Sequence, residues 1–207
     1  MKRIVLALTL VFPAACSDIL TGGIYERVNV GELKGRLVVE WVDQDKFLFL
    51  PDPQNPLRFT RKNSDVIEPQ RMFTDGGTIP AALRAIKSYS PWGYAPGFII
   101  HDWLFAMHHC KVPGHEKYDV EAAAEIMAEV LKTMMENPKY GGPNKLVHYS
   151  MYEAVRSNIA RDYWTRGTCE TAEGARTEAG PAAARSGRRM AAPDPAATSR
   201  PRFVIEF

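Results

Sequence analysis

An adjacent histidine and aspartate lie in the middle of the apolar run APGFIIHDWLF, which occupies residues 95–105. His101 is of the residue type that exchanges a proton near neutral pH, and Asp102 can orient an imidazole or bind a divalent cation. Burial of either group is costly unless it finds a hydrogen-bonding partner. The pair therefore has either structural partners within the fold or a role in chemistry.

A second carboxylate, Asp75, lies in the segment FTDGGTIP at residues 73–80. The two glycines that follow it permit backbone conformations that other residues avoid, so a turn is predicted here. We expect this turn to bring Asp75 within reach of His101 or Asp102. In the catalytic interpretation, His101 is the general base, and the two carboxylates orient it or hold a divalent cation such as calcium.

The structural interpretation assigns the same residues to the core. Asp75 then caps a following helix, and His101 bonds to a backbone carbonyl. Asp102 ties its helix to Arg84, to Arg156 or to the strands. Adjacent residues project about 100° apart on a helix, so we expect His101 and Asp102 to face different partners rather than each other.

The elements that position these residues begin with a predicted β-hairpin. The runs GRLVVEWV (35–42) and KFLFL (46–50) are rich in β-branched and aromatic residues and flank a short polar loop. This pattern is typical of two paired strands. The run LRFTR (57–61) predicts a third strand, and residues 65–77 are predicted to be extended.

Helical patterns follow. TIPAALRAI (78–86) predicts a short helix, and residues 97–109, 117–136 and 144–164 predict three longer ones. The first of the three is almost entirely apolar, and the other two carry an apolar stripe. Together these patterns predict an α+β fold, in which a small antiparallel β-meander is followed by about three helices.

The two ends of the chain differ from this domain, which is expected to span 24–165 after a linker. A basic start, a short apolar run and the sequence AAC predict a signal peptide over 1–16, of the bacterial lipoprotein type, with Cys16 as the acylated residue. Residues 166–207 are rich in Ala, Gly, Pro and Arg, which predicts a disordered tail. The final RFVIEF either docks as a strand or stays free.

The formal net charge is only +2, with 24% charged residues, so the sequence predicts no basic surface for nucleic acid. The signal predicts a cell-envelope location, lipid-anchored to the membrane or periplasmic. The alternative is that the apolar start is the first element of a cytoplasmic domain. The sequence predicts no particular protein partner.

The three cysteines, Cys16, Cys110 and Cys169, are far apart and form no CxxC pair. If Cys16 is acylated, the other two can pair in an oxidising compartment, although we favour two free thiols. The spacing of His108, His109, Cys110 and His115 matches no usual zinc pattern, so a solvated helix end is favoured over a metal site.

The motifs, taken in order, resemble a bacterial and phage family known as domain of unknown function 1353. That family has a β-meander, a TDxASxP-like turn, a helix with HDxLY, a helix with AD…F, and a helix similar to MYxAVR…W. The counterparts here are TDGGTIP, HDWLF and MYEAVRSNIARDYW (151–164), so the resemblance covers about residues 33–164. Phe105 stands where the family has Tyr, and Ala124 stands where it has Asp.

The His-Asp pair on a helix also resembles secreted phospholipases A2, in which the His activates water, the Asp binds calcium and a second helix supplies an orienting Asp. Ala124 takes that last position, and Glu121 and Glu125 are substitutes that lie off the apolar stripe. Two functions follow from the resemblance. We favour a non-catalytic or degenerate, phage-derived or cell-envelope accessory protein. The alternative is a metal- or His-dependent hydrolase that uses His101 and Asp102.

Overall fold

Seven strands and five α-helices make up the part of the chain that the structure describes. This computed structural model describes residues 23–43, 46–75, 91–170 and 202–206. The strands are β1 (Glu32–Lys34), β2 (Arg36–Asp43), β3 (Lys46–Pro51), β4 (Arg58–Thr60), β5 (Val66–Ile67), β6 (Met72–Thr74) and β7 (Arg202–Glu206). The helices are α1 (Ile24–Arg27), α2 (Ala95–Cys110), α3 (Val120–Glu136), α4 (Lys145–Val155) and α5 (Asn158–Arg166). The predicted α+β class is confirmed.

The predicted hairpin is formed by β2 and β3, which pair antiparallel. Val39 lies opposite Phe49 in this ladder, and both side chains are buried. Because alternate side chains of a strand point to opposite faces, Leu37 joins Val39 on the core side. The hairpin therefore presents one apolar face to the helices.

The strands form two antiparallel sheets rather than the single meander that we expected. The smaller sheet has the order β1-β4-β5, and the larger one has the order β6-β3-β2-β7. Gly35 separates β1 from β2 with φ +104°, and a Cβ atom there would collide with the carbonyl of Pro56. Since only glycine suits this conformation and this close approach, the chain changes sheets at Gly35.

Helices α2 and α3 confirm two of the predicted helices, with slightly different ends. The prediction of one helix over 144–164 is wrong, because α4 ends at Val155 and α5 begins at Asn158. The Ser157 side chain accepts a hydrogen bond from the backbone N–H of Ala160 and so starts a new helix. Ile159, expected on the apolar stripe, is 82% exposed.

The main core lies between α2, α3 and the inner faces of the sheets. Ile100 and Leu104 of α2 pack with Ile126 and Met134 of α3 and with residues of both sheets. Buried residues occur on every side of α2, as expected for a helix that is apolar all round. The two sheets and α3 therefore pack around α2, the helix that carries His101.

Short elements near both ends of the chain belong to the domain. α1, whose Ile24 and Tyr25 are buried, lies at the start of the domain predicted over 24–165. Of the two alternatives for RFVIEF, docking as a strand is found, because β7 pairs with β2. The predicted signal over 1–16 with Cys16, the predicted helix at 78–86 and residues 171–201 lie outside the described residues. Within the described parts, no helix is long and apolar enough to span a membrane.

Candidate functional site

His101 lies midway along α2 and is 8% exposed. The imidazole packs against the ring of Phe105, one turn further along the helix, with the ring centroids 4.7 Å apart. Residues four apart on a helix share a face, which explains this contact. The histidine is thus held in the core by its own helix.

Asp102 lies beside His101 in space as well as in sequence. His101 Nδ1 is 3.5 Å from Asp102 Oδ1, so our expectation that the two residues do not face each other is wrong. Helix geometry separates the directions of the two Cβ atoms, but the side chains beyond Cβ can turn toward each other. The distance is long for a hydrogen bond and is better described as an electrostatic contact.

The other carboxylate oxygen of Asp102 binds the larger sheet. The Thr74 hydroxyl donates a hydrogen bond to Asp102 Oδ2 over 2.6 Å, from the last residue of β6. Of the three anchors proposed for Asp102, the strand is therefore the one found. Arg156 instead pairs with Glu153 on its own helix, and Arg84 lies outside the described residues.

The Nε2 atom of His101 is buried, and the described residues provide it with no hydrogen-bonding partner. The backbone carbonyl that we expected as its partner is therefore not found there. An imidazole with a carboxylate beside Nδ1 can hold its proton on that side and leave Nε2 as the basic nitrogen. In this structure the surrounding protein encloses that nitrogen.

A tyrosine from α5 completes the surroundings of this pair. The Tyr163 ring stacks on Phe105 with centroids 5.8 Å apart. Burial raises the pKa of Tyr163, and the negative charges of Glu170, Asp102 and Asp75 raise it further. Asp75, next in sequence to Thr74, stays a predicted member of the site. Sequence reasoning missed Tyr163, although it lies inside the quoted MYEAVRSNIARDYW motif.

The helix facing α2 supplies no carboxylate at the expected position. Ala124 is buried on α3, whereas Glu121 and Glu125 are exposed and Glu121 pairs with Arg161 of α5. Among the residues that the structure describes, no three His, Cys, Asp or Glu side chains are grouped to hold a metal ion.

His108 and His109 at the end of α2, and His115 just beyond it, are not the solvated helix end that we expected. The His108 ring stacks on Trp164 with centroids 4.1 Å apart. Burial lowers the pKa of His108, with Lys111, His109 and His115 lowering it further. His109 Nε2 lies 3.0 Å from the carbonyl oxygen of Tyr163, and since a carbonyl only accepts, this nitrogen donates.

The cysteines correct a further expectation. Cys110 and Cys169 form a disulfide, so the interpretation of two free thiols is wrong. The bond joins the last residue of α2 to the segment after α5. Together with the hydrogen bond of His109, the disulfide holds the C-terminal end of α5 against α2, the helix that carries His101.

A charged pair in the core was also missed. Arg61 donates two hydrogen bonds to the buried Glu129 carboxylate, over 2.6 and 3.0 Å. This contact raises the pKa of Arg61. Nearby, the Tyr118 hydroxyl donates to Asp65, and burial with this contact raises the pKa of Tyr118 to about 12. These groups tie the β4–β5 connection to α3.

The geometry of the His101 site therefore consists of a buried imidazole, a partly exposed carboxylate, a strand hydroxyl and an aromatic wall. This set can bond α2 to the larger sheet, and its imidazole could accept a proton only from a group that reaches the enclosed nitrogen.

Comparison of the chain with protein families, curated proteins and solved structures found no match.

Proposed function

We propose that this protein is an exported, non-catalytic accessory protein of the cell envelope in which the His-Asp motif maintains the fold. The observation that carries this proposal is the hydrogen bond from Thr74 to Asp102, beside an imidazole whose Nε2 is enclosed. A catalytic base must reach the proton that it removes. A structural network needs only to satisfy its own members.

The disulfide supports the proposed export. Disulfides form and persist in oxidising compartments and are rare in the cytosol. The Cys110–Cys169 bond therefore agrees with the signal predicted over 1–16 and with acylation of Cys16. We propose a lipid-anchored or periplasmic location, with no nucleic-acid partner. Cells expressing the chain should incorporate a palmitate analogue, and Cys16→Ser should abolish this. Failure of the unaltered chain to incorporate the label would contradict the proposed anchor.

We further propose that the chain is a divergent relative of the domain of unknown function 1353 family and is phage-derived. The order and spacing of TDGGTIP, HDWLF and MYEAVRSNIARDYW support this proposal. Ala124 in place of the family's Asp favours a degenerate role, because the neighbouring glutamates point away from the apolar stripe.

One observation favours the second candidate, a His-dependent hydrolase similar to phospholipases A2. His101 Nε2 has no partner within the described residues, while Asp102 lies beside Nδ1, which is the arrangement of an oriented base. In that function Asp102 or Asp75 would bind calcium, and substrate entry would have to uncover the imidazole.

The two functions predict different behaviour of Asp102 variants. If the network is structural, Asp102→Ala removes the charged acceptor of the Thr74 hydrogen bond and should cost about 1–3 kcal/mol of unfolding free energy. Thr74→Val should cost a similar amount, and the double variant less than both together, because both changes break the same bond. Asp102→Asn keeps an acceptor for Thr74 and should be milder. Urea unfolding gives the free energy of unfolding of these four variants, for comparison with the unaltered chain.

The control is Thr60→Val, which makes the same change of residue type in β4. It should leave the unfolding free energy within about 0.5 kcal/mol of the unaltered chain. Millimolar calcium should not shift the melting temperature of the unaltered chain. A calcium-dependent rise that Asp102→Asn abolishes, with its stability otherwise intact, would overturn the structural proposal and favour the hydrolase.

A further inference from the structure

The outer strand of the larger sheet is supplied by the C-terminus of the chain. β7 pairs with β2, with every residue in register from Arg36↔Glu206 to Glu40↔Arg202, and no other strand among the described residues pairs with it. Residues 171–201 connect it to the preceding described segment. A connection of that length can reach about 100 Å when extended, so it does not by itself restrict β7 to its own β2.

β7 is held by its backbone ladder with β2 and by side-chain contacts. Val204 is 50% exposed and Phe203 is 43% exposed. Ile205 is half-buried against the core, opposite Leu37, and Arg202 Nε donates to Glu40 Oε1 over 2.6 Å. A main-chain ladder with one apolar side chain and one charge pair is how an added strand is recognised at a sheet edge.

We propose that the β2 edge is a strand-accepting site that also takes β7 from a second copy of this chain. Reciprocal exchange gives a two-fold dimer in which each copy donates its C-terminal strand to the other. The exchanged ladder and the Arg202–Glu40 pair are the same as within one chain. The equilibrium is therefore set by the protein concentration and by the effective concentration of the strand tethered within its own chain, which is at most about millimolar for a tether of this length.

This inference does not depend on the roles of His101 and Asp102. The monomer is expected to be the main form in dilute solution. The fraction of exchanged dimer is expected to increase as the protein concentration approaches the millimolar range. Any change that weakens pairing within one chain and keeps it between two chains should lower the protein concentration at which the dimer forms.

A pair of full-length charge-reversal variants makes that change. In the E40R chain and in the R202E chain, the two facing side chains have like charges, so neither chain pairs well with its own β7. In a one-to-one mixture, reciprocal exchange restores opposite charges at both edges. We expect the dimer association constant of the mixture, measured by light scattering, to exceed that of either chain alone by about tenfold or more. A mixture that dimerises no better than its components would overturn the proposal.

A second measurement leaves the charge pair intact and keeps the proposal testable if a charge-reversed chain folds poorly. Val38 and Val204 face each other across β2 and β7. Full-length V38C and V204C chains, each also carrying C16S, are mixed and oxidised. We expect disulfide-linked dimers to increase with protein concentration and to exceed those from V38C mixed with V66C, since Val66 is an exposed strand residue of the other sheet. Equal yields from the two mixtures would show random collision and overturn exchange.

Discussion

Removal of the Cys110–Cys169 disulfide is expected to cost about 4 kcal/mol of unfolding free energy. The bond joins residues with a sequence separation of 59. In the chain-entropy description, a loop of that length restricts the unfolded chain by about 4 kcal/mol at 25 °C. Cys169 is exposed and Cys110 is half-buried, so C110S/C169S leaves no deep cavity. The lost free energy of unfolding therefore measures mainly the entropy of loop closure in the unfolded chain.

The assay is urea unfolding of the oxidised chain and of C110S/C169S, followed by tryptophan fluorescence without reductant. For a domain of this size, the same loss lowers the melting temperature by roughly 8–16 °C. Single C110S is the control, and it should match the double variant because either change removes the bond. The reasoning is refuted if C110S/C169S lies within about 1 kcal/mol of the unaltered chain. Free thiols at both positions in the folded, unaltered chain would also remove the support for export.

Two further changes test the buried polar groups. Arg61→Met leaves the Glu129 carboxylate buried without its cation and should cost about 3–5 kcal/mol, whereas R61M/E129M should recover part of this loss in the same urea assay. His148 bonds to the Ala128 carbonyl in the interior, and burial lowers its pKa below the ordinary 6.5. The unfolded chain therefore binds the proton more readily, and stability is lost as pH falls from 6.5 toward the lowered value. His148→Gln should reduce the fall of the melting temperature between about pH 7 and pH 5, and an unchanged slope would contradict this cause.

Local patterns in the sequence predicted the elements that local forces decide. The alternating residues of β2 and β3 and the apolar stripe of α3 specify their own conformations, since burial of one face stabilises each. The break between α4 and α5 was missed because the stripe continues in sequence past Ser157. At Ser157 the side-chain hydroxyl caps a new helix, and this local hydrogen bond sets the helix boundary although the apolar repeat continues through it.

Contacts between distant residues could not be predicted in the same way. RFVIEF has the pattern of a strand, but no feature of those residues identifies β2, more than 150 positions earlier, as its partner. The Arg61–Glu129 pair likewise joins a loop to a helix that approach each other only after folding. At the candidate site, the sequence identified His101 and Asp102, while the Thr74 hydroxyl and the Tyr163 ring came from other elements.

The enclosure of α2 has a consequence for hydrogen exchange. Amide protons near Ile100 and Leu104 lie in a helix surrounded by both sheets and α3, so solvent should reach them only when the whole domain opens. Among the described strands only β2 is bonded to β7, and the β7 amides should exchange through local separation from β2. The amides of β7 and those at the centre of α2 would then exchange through different openings of the domain. This allows the C-terminal strand to open repeatedly while the helix that carries His101 stays closed.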